Sequence, residues 1–137
     1  ACLARFGERL RGLDKHAVRA VGTNTLRVAK NAKPFLRRAR AALGFPIEVV
    51  AGREEARLIY LGVSHSLPAS REKRLVIDIG GGSTECIIGA GYKPQKLESL
   101  FMGCVSYSLR YFRDGRVSKA AFKEAEFAAR AELQPIV

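Results

Sequence analysis

The apolar positions of this chain follow two spacings, one typical of helices and one typical of strands. An apolar residue every three or four positions indicates a helix that buries one face. This spacing predicts six helices: residues 1–12, a segment beginning at residues 23–25, and residues 34–43, 53–62, 105–112 and 118–133. Short apolar runs that end at turn residues predict five buried strands: residues 17–21, 47–50, 75–77, 86–88 and 97–102.

The order of these elements predicts an α/β fold in two parts. Helices alternate with strands up to about residue 70, which is typical of a parallel sheet. Three successive strands follow, and they imply a hairpin within a mixed sheet. The polar segment 68–74, which begins with Pro68, is the best candidate for a linker between the two parts.

The turn of the predicted hairpin contains three successive glycines, Gly80, Gly81 and Gly82. Glycine has no Cβ, so we expect this turn to enter positive φ and to bring its N–H groups close to a ligand. Clustered N–H groups form a concavity suited to anions, and Ser83 and Thr84 add hydroxyl donors. A Walker loop would continue with lysine and a helix, whereas Ser83 and another strand follow here. The sequence therefore predicts a hairpin that binds phosphate at its tip.

Two carboxylates, Asp78 and Glu85, flank this turn. An anion site tolerates carboxylates best when a cation is also present, so the pattern predicts a divalent metal with Asp78 and Glu85 as its ligands. The alternative is a glycine-rich hairpin that binds no ligand.

Two further side chains are candidates for phosphoryl chemistry. Arg27 follows the strand that ends at Gly22, and its guanidinium could grip phosphate with two N–H groups. Glu55 lies in the first turn of a helix, where it could orient or deprotonate water. Both residues also have ordinary explanations, because arginines near helix starts are usually at the surface and the pair Glu54-Glu55 suits a helix dipole.

Composition narrows the class of partner. The chain has 24 Lys+Arg against 13 Asp+Glu, a net charge of +11, which attracts polyanions. Its basic residues are scattered, without a nucleic-acid-binding motif, so we expect no specific nucleic acid. No apolar run approaches the ~18 residues of a membrane span, and we expect no membrane partner. Three cysteines without paired spacing favour a reducing cytoplasm and thiols that are buried as small hydrophobic groups.

Four segments in order resemble one known family. They are Gly22-Thr23-Asn24-Thr25-Leu26-Arg27, Gly52-Arg53-Glu54-Glu55-Ala56-Arg57-Leu58-Ile59, Asp78-Ile79-Gly80-Gly81-Gly82-Ser83-Thr84-Glu85 and Met102-Gly103-Cys104-Val105-Ser106. Together they are similar to motifs of the exopolyphosphatase / guanosine pentaphosphate phosphohydrolase family. The resemblance implies an actin-like (ribonuclease H-like) ATPase-type fold with two lobes and a site in the cleft between them. Residues 1–70 would form the C-terminal part of the first lobe, and residues 71–137 the N-terminal part of the second.

The resemblance also implies roles for the residues that match these motifs. Glu55 would be the catalytic base, Asp78 and Glu85 would bind Mg²⁺, and the substrate would be polyphosphate or guanosine pentaphosphate. The implied phosphate contacts are Thr23, Asn24, Arg27, Gly80, Gly81, Gly82, Ser83 and Thr84. The full-length protein would be a homodimer. Since the family's first phosphate loop and a long C-terminal portion are missing, we expect the chain to be an internal fragment that is inactive by itself.

Two other functions stay open at this point. A non-catalytic module that binds polyanions or senses phosphate would keep the hairpin but would have no need of a base at Glu55. A kinase-type relative with the same fold is disfavoured by the ordered motifs around Glu55 and Gly103.

Overall fold

The structure, a computed structural model, describes residues 1–136 and divides the chain into two compact units, Ala1–Ala51 and Gly52–Val137. Each unit has its own hydrophobic core.

The first unit contains a pair of parallel strands joined by helices. Its elements are α1 (Cys2–Arg9), a 3₁₀ turn (Lys15–Ala17), β1 (Ala20–Gly22), α2 (Asn24–Val28), α3 (Ala32–Leu43) and β2 (Ile47–Val49). Ala20 of β1 lies opposite Ile47 of β2. α3 ends where Gly44 adopts a φ of 80°, a left-handed conformation that favours glycine. The core consists of Ala39, Leu43, Phe45 and Ile47.

The second unit is an antiparallel sheet with helices. Its elements are α4 (Gly52–Ser66), β3 (Lys73–Ile79), β4 (Thr84–Ala90), β5 (Lys93–Leu100), α5 (Cys104–Tyr111) and α6 (Lys119–Leu133). The strands are arranged in the order β3-β4-β5. Ser118 caps the N-terminus of α6, and its Oγ accepts a hydrogen bond from the N–H of Ala121 at 3.1 Å.

One face of this sheet packs against α4. Ala56 and Tyr60 of α4 are fully buried against Val76 of β3 and Ile87 of β4. Side chains alternate between the two faces of a strand, so Asp78 shares this face with Val76, and Glu85 shares it with Ile87. The packing of α4 thus brings its first turn to the carboxylates of the hairpin.

The α/β class and the hairpin are confirmed, but the type of sheet differs from the sequence-based expectation. The predicted mixed sheet does not occur within residues 1–136, since a hairpin connection makes each strand run opposite to the last. α4 belongs to the second compact unit because it packs onto the antiparallel sheet, so the chain divides between Ala51 and Gly52. The assignment of residues 1–70 and 71–137 to two lobes stays a prediction.

Candidate functional site

The glycine turn between β3 and β4 is held against the beginning of α5. The N–H of Gly80 donates to the carbonyl oxygen of Ser83 at 2.9 Å, which closes the turn. The carbonyl of Gly80 accepts from the N–H of Cys104 at 2.9 Å, and that of Gly81 accepts from the N–H of Val105 at 2.8 Å. The first N–H groups of α5 are therefore satisfied by the turn, and they fix its orientation.

This orientation determines where the other N–H groups of the turn point. A trans peptide places its N–H opposite its C=O, and no peptide bond in the described residues is cis. The carbonyls of Gly80 and Gly81 point to α5, so the N–H groups of Gly81 and Gly82 point away from it. These two groups and the N–H of Ser83 have no protein acceptor within residues 1–136. Successive N–H groups without an acceptor are typical of anion-binding concavities, and we refer to these three as the N–H concavity.

None of the three glycines of the turn has positive φ, so the expected left-handed turn was wrong. The glycines with positive φ in the described residues are Gly12, Gly44, Gly91 and Gly115. In the turn, a Cβ on Gly80 would lie 3.0 Å from the carbonyl oxygen of Ser83.

The space for a Cβ atom is smaller still at Gly103, at the beginning of α5. A Cβ there would lie 2.6 Å from the backbone of both Gly81 and Gly82. The turn and α5 are consequently in backbone contact.

Two residues with hydroxyl side chains, Ser83 and Thr84, directly follow the glycine turn. Both residues are buried, at 5% and 3% exposure. Thr84 Oγ1 donates to the carbonyl oxygen of Met102 at 2.6 Å, and the Ser83 side chain lowers the pKa of the Glu85 carboxyl. In this conformation the single hydroxyl hydrogen of Thr84 is committed to Met102.

Three carboxylates of the second unit lie close enough to influence one another. Asp78 is exposed and lies directly opposite Glu85, which is only 2% exposed. Burial raises the pKa of Glu85, hydrogen bonds from Ser99 and Ser83 lower it, and the charges of Glu55 and Asp78 raise it further. Ser99 Oγ donates to Glu85 Oε1 at 2.7 Å. The site therefore concentrates negative charge beside the N–H concavity.

These carboxylates suit a partly hydrated cation more than a closed metal cage. No group of three or more His, Cys, Asp or Glu side chains in the described residues is arranged to hold a metal ion by itself. Mg²⁺ usually takes one or two carboxylates together with waters and substrate phosphates. Asp78 and Glu85 fit that requirement, because their mutual repulsion would be relieved by a cation.

The adjacent glutamates of α4 have different surroundings. Glu54 receives two hydrogen bonds from Arg57, at 2.8 Å and 2.7 Å. Glu55 is half-buried, and its charge acts on Glu85. The structure thus brings Glu55, Asp78, Glu85 and the glycine turn together in one unit.

The remaining predicted site residues lie in the first unit. Thr23, Asn24 and Arg27 follow the carboxyl end of β1, beside the carboxyl end of the parallel strand β2. Arg27 Nη1 donates to the carbonyl oxygen of Val50 at 3.0 Å, which anchors the guanidinium at this edge. Thr23 directly precedes α2 and makes no side-chain cap hydrogen bond.

Two residues of the site were not singled out from the sequence. Ser99 holds Glu85 from the third strand, and no local pattern indicated that pairing. Gly103 packs on the turn, and its signal was the glycine within the segment 102–106. The cysteine expectation is confirmed for Cys86, which is buried, and wrong for Cys2 and Cys104, which are exposed.

Comparison with known proteins agrees with this architecture. The model of the Ppx/GppA phosphatase family matches residues 1–137. The Ppx/GppA enzyme of Aquifex aeolicus is 31% identical, with a TM-score of 0.74, and the match covers 98% of this chain and 45% of that one. An exopolyphosphatase from Cytophaga hutchinsonii is 28% identical, with a TM-score of 0.80, over 98% of this chain and 43% of that one.

The chain spans less than half the length of these relatives. Its α/β elements correspond to part of the fold of these relatives. No helix within residues 1–136 is both long and apolar enough to cross a bilayer. The ordered motifs, the hairpin and these similarities have one explanation: the chain belongs to the Ppx/GppA phosphatase family.

Proposed function

We propose that this chain is part of a hydrolase that releases the terminal phosphate of polyphosphate, of guanosine pentaphosphate, or of both, by attack of water. The observation that carries the proposal is the N–H concavity at Gly81 and Gly82, which lies in the same unit as the carboxylate of Glu55. Family membership supports the reaction class.

The turn would bind the phosphoryl group that is transferred. Negative charge is spread over three phosphoryl oxygens during transfer, and fixed N–H groups stabilise it without reorganising. The N–H groups of Gly81, Gly82 and Ser83 are suited to this role, and α5 holds them in place. The N–H of Gly80 is used inside the turn, so we propose that Gly80 contributes its close packing and not a donor.

Glu55 would accept the proton of the attacking water. A general base needs a carboxylate within reach of the water and in its ionised form. The charge of Glu55 raises the pKa of Glu85, which is consistent with a position of Glu55 beside the carboxylates of the hairpin. Glu54 is held by Arg57 and is a poorer candidate.

Asp78 and Glu85 would hold a divalent cation, which we propose to be Mg²⁺. When bound, the cation would neutralise part of the phosphate charge. Burial raises the pKa of Glu85, so a proton competes with a cation for this carboxylate.

The first unit would add further phosphate contacts. We propose this role for Thr23, Asn24 and Arg27 because they match one of the four motifs and lie at the carboxyl ends of both parallel strands. Arginine provides a planar fork of donors that suits phosphate.

We further propose lobes at residues 1–70 and 71–137, a homodimer for the full-length protein, no specific nucleic acid partner, and a cytoplasmic location.

Phosphate release by a full-length protein that contains this chain tests the proposal. Polyphosphate and guanosine pentaphosphate are each incubated with the protein, with Mg²⁺ and with a chelator in its place. We expect release that requires the cation. Binding of both compounds without release from either would instead indicate a non-catalytic polyanion-binding module.

A further inference from the structure

Apart from the N–H concavity, the second unit has a cavity at the C-terminal end of α4, which we call the second cavity. Glu55 lies at the other end of this helix, its N-terminal end. The cavity has a volume of about 370 Å³. The lining residues that matter here are Ser64, Ser70, Arg71, Arg74, Gly91 and Tyr92. None of them belongs to the glycine turn or to the carboxylate cluster, so the site already described does not account for this cavity.

Two arginines give the cavity a positive charge. Arg71 and Arg74 both line it, and no carboxylate is among its lining residues. Arg74 Nη2 donates to the carbonyl oxygen of Pro68 at 3.1 Å, which fixes the position of its guanidinium. A guanidinium has five N–H donors, so this single hydrogen bond leaves Arg74 able to bind an anion.

An aromatic ring forms another wall. Tyr92 is 52% exposed, and its ring lies 4.6 Å from that of His65 between centroids. The adjacent Gly91 is fixed because its carbonyl accepts a hydrogen bond from Tyr60 Oη at 3.1 Å. A half-exposed ring on a rigid rim can stack against a planar group of a ligand.

We propose that this cavity binds a nucleoside monophosphate or a closely similar phosphorylated aromatic compound. The phosphate would lie on Arg71 and Arg74, and the base would stack on Tyr92. The volume matches an organic ligand of this size, since small-molecule sites begin at about 300 Å³, and is generous for inorganic phosphate alone. The inference is independent of phosphate release at the glycine turn.

Titration of the ¹⁵N-labelled 137-residue chain with AMP and GMP tests the proposal. We expect the largest amide shifts at Ser70, Arg71, Gly91 and Tyr92. Ribose 5-phosphate lacks the base, so it should bind at least about fivefold more weakly than AMP because stacking is lost. No shift at these residues at about 10 mM nucleotide, or shifts confined to residues 81–83, would overturn it.

Substitutions separate specific binding from the general attraction of a basic chain. The double substitution Arg71→Ala/Arg74→Ala should weaken AMP binding about tenfold or more, because both charge-assisted contacts are lost. Arg113→Ala/Arg116→Ala removes the same charge from the exposed segment before α6 and should change binding less than about twofold. Equal losses in the two double variants would contradict the proposal.

Discussion

At the scale of single residues, the pair Glu54 and Glu55 shows how neighbouring carboxylates acquire different tasks. The hydrogen bond with Glu54, and then its charge, raise the pKa of Arg57, so Glu54 is committed to an ion pair. The charge of Glu55 acts instead on Glu85, at the carboxylate cluster. A helix places adjacent side chains about 100° apart, which is sufficient to separate these surroundings.

Glu55→Gln should therefore reduce turnover far more than Glu54→Gln. In a full-length protein we expect roughly a 10²- to 10⁴-fold loss of kcat for Glu55→Gln, with substrate binding largely retained, as for the loss of a general base. Glu54→Gln is the matched control and should cost less than about fivefold. Steady-state phosphate release measures both, and similar losses would show that the base is assigned wrongly.

Glu85 should make the stability of the chain depend on pH. Its pKa in the folded chain is above the ordinary value of 4.5, so the folded state binds this proton more tightly than the unfolded state. The stabilisation is fully present below pH 4.5 and is lost as the pH rises through the folded pKa. As the pH rises, the free energy of unfolding of the Glu85→Gln chain should increase relative to that of the original chain. Urea unfolding from pH 4 to 7 measures both. Parallel pH profiles for the two chains would contradict this expectation.

At the scale of elements, the site depends on contact between the hairpin turn and the first turn of α5. Backbone hydrogen bonds join residues 80 and 81 to residues 104–106, and Gly103 leaves no space for a side chain. A displacement of α5 would therefore reorient the N–H groups of Gly81 and Gly82.

Gly103→Ala should both destabilise the chain and impair anion binding. Its Cβ would lie 2.6 Å from backbone atoms that cannot move aside independently, and we expect a loss of about 1–3 kcal/mol in the free energy of unfolding. Gly62→Ala is the matched control, because no atom lies within 4 Å of the new Cβ in the exposed part of α4. It should stabilise by about 0.5–1 kcal/mol. Urea unfolding distinguishes the two, and equal effects would refute the packing argument.

The sequence predicted elements better than the contacts between them. Hydrophobic spacing identified all three strands of the second unit, but α4 continues past Gly62 to Ser66 because one glycine does not end a helix that is otherwise well packed. β1 is shorter than expected, since Asp14 accepts a hydrogen bond from the N–H of His16 at 2.7 Å and begins a 3₁₀ turn. Local spacing identifies the face of an element and not its partner, so the links Ser99–Glu85 and Thr84–Met102 were not predictable from it.

At the scale of the whole molecule, candidate residues occur in both compact units. Thr23, Asn24 and Arg27 belong to the first unit, and the glycine turn and Glu55 belong to the second. The relatives are more than twice as long as this chain. A reaction that needs several groups aligned on one phosphoryl group is sensitive to the loss of any of them.

The 137-residue chain alone should therefore be a poor catalyst. We expect phosphate release from polyphosphate at least about 100-fold slower than with a full-length protein. An assay with Mg²⁺ and equal molar amounts of the two proteins measures the ratio. Comparable rates would show that the chain contains the complete catalytic apparatus.

Polyphosphate should still bind the chain through its charge of +11. Binding of this kind weakens as salt screens the charges, by about tenfold or more between 0.05 and 0.5 M NaCl. Fluorescence anisotropy with labelled polyphosphate measures the affinity at each salt concentration. An affinity independent of salt would exclude a mainly electrostatic attraction.

Placement of phosphate at the glycine turn is the central claim, and an amide NMR titration tests it most directly. The chain is titrated with inorganic phosphate and Mg²⁺, with Arg71→Ala/Arg74→Ala as a background that disables the second cavity. We predict the largest shifts at the N–H groups of Gly81, Gly82 and Ser83, with a smaller shift at Gly80, whose N–H is bound within the turn. Saturable phosphate binding elsewhere, with these three amides unchanged, would contradict the claim.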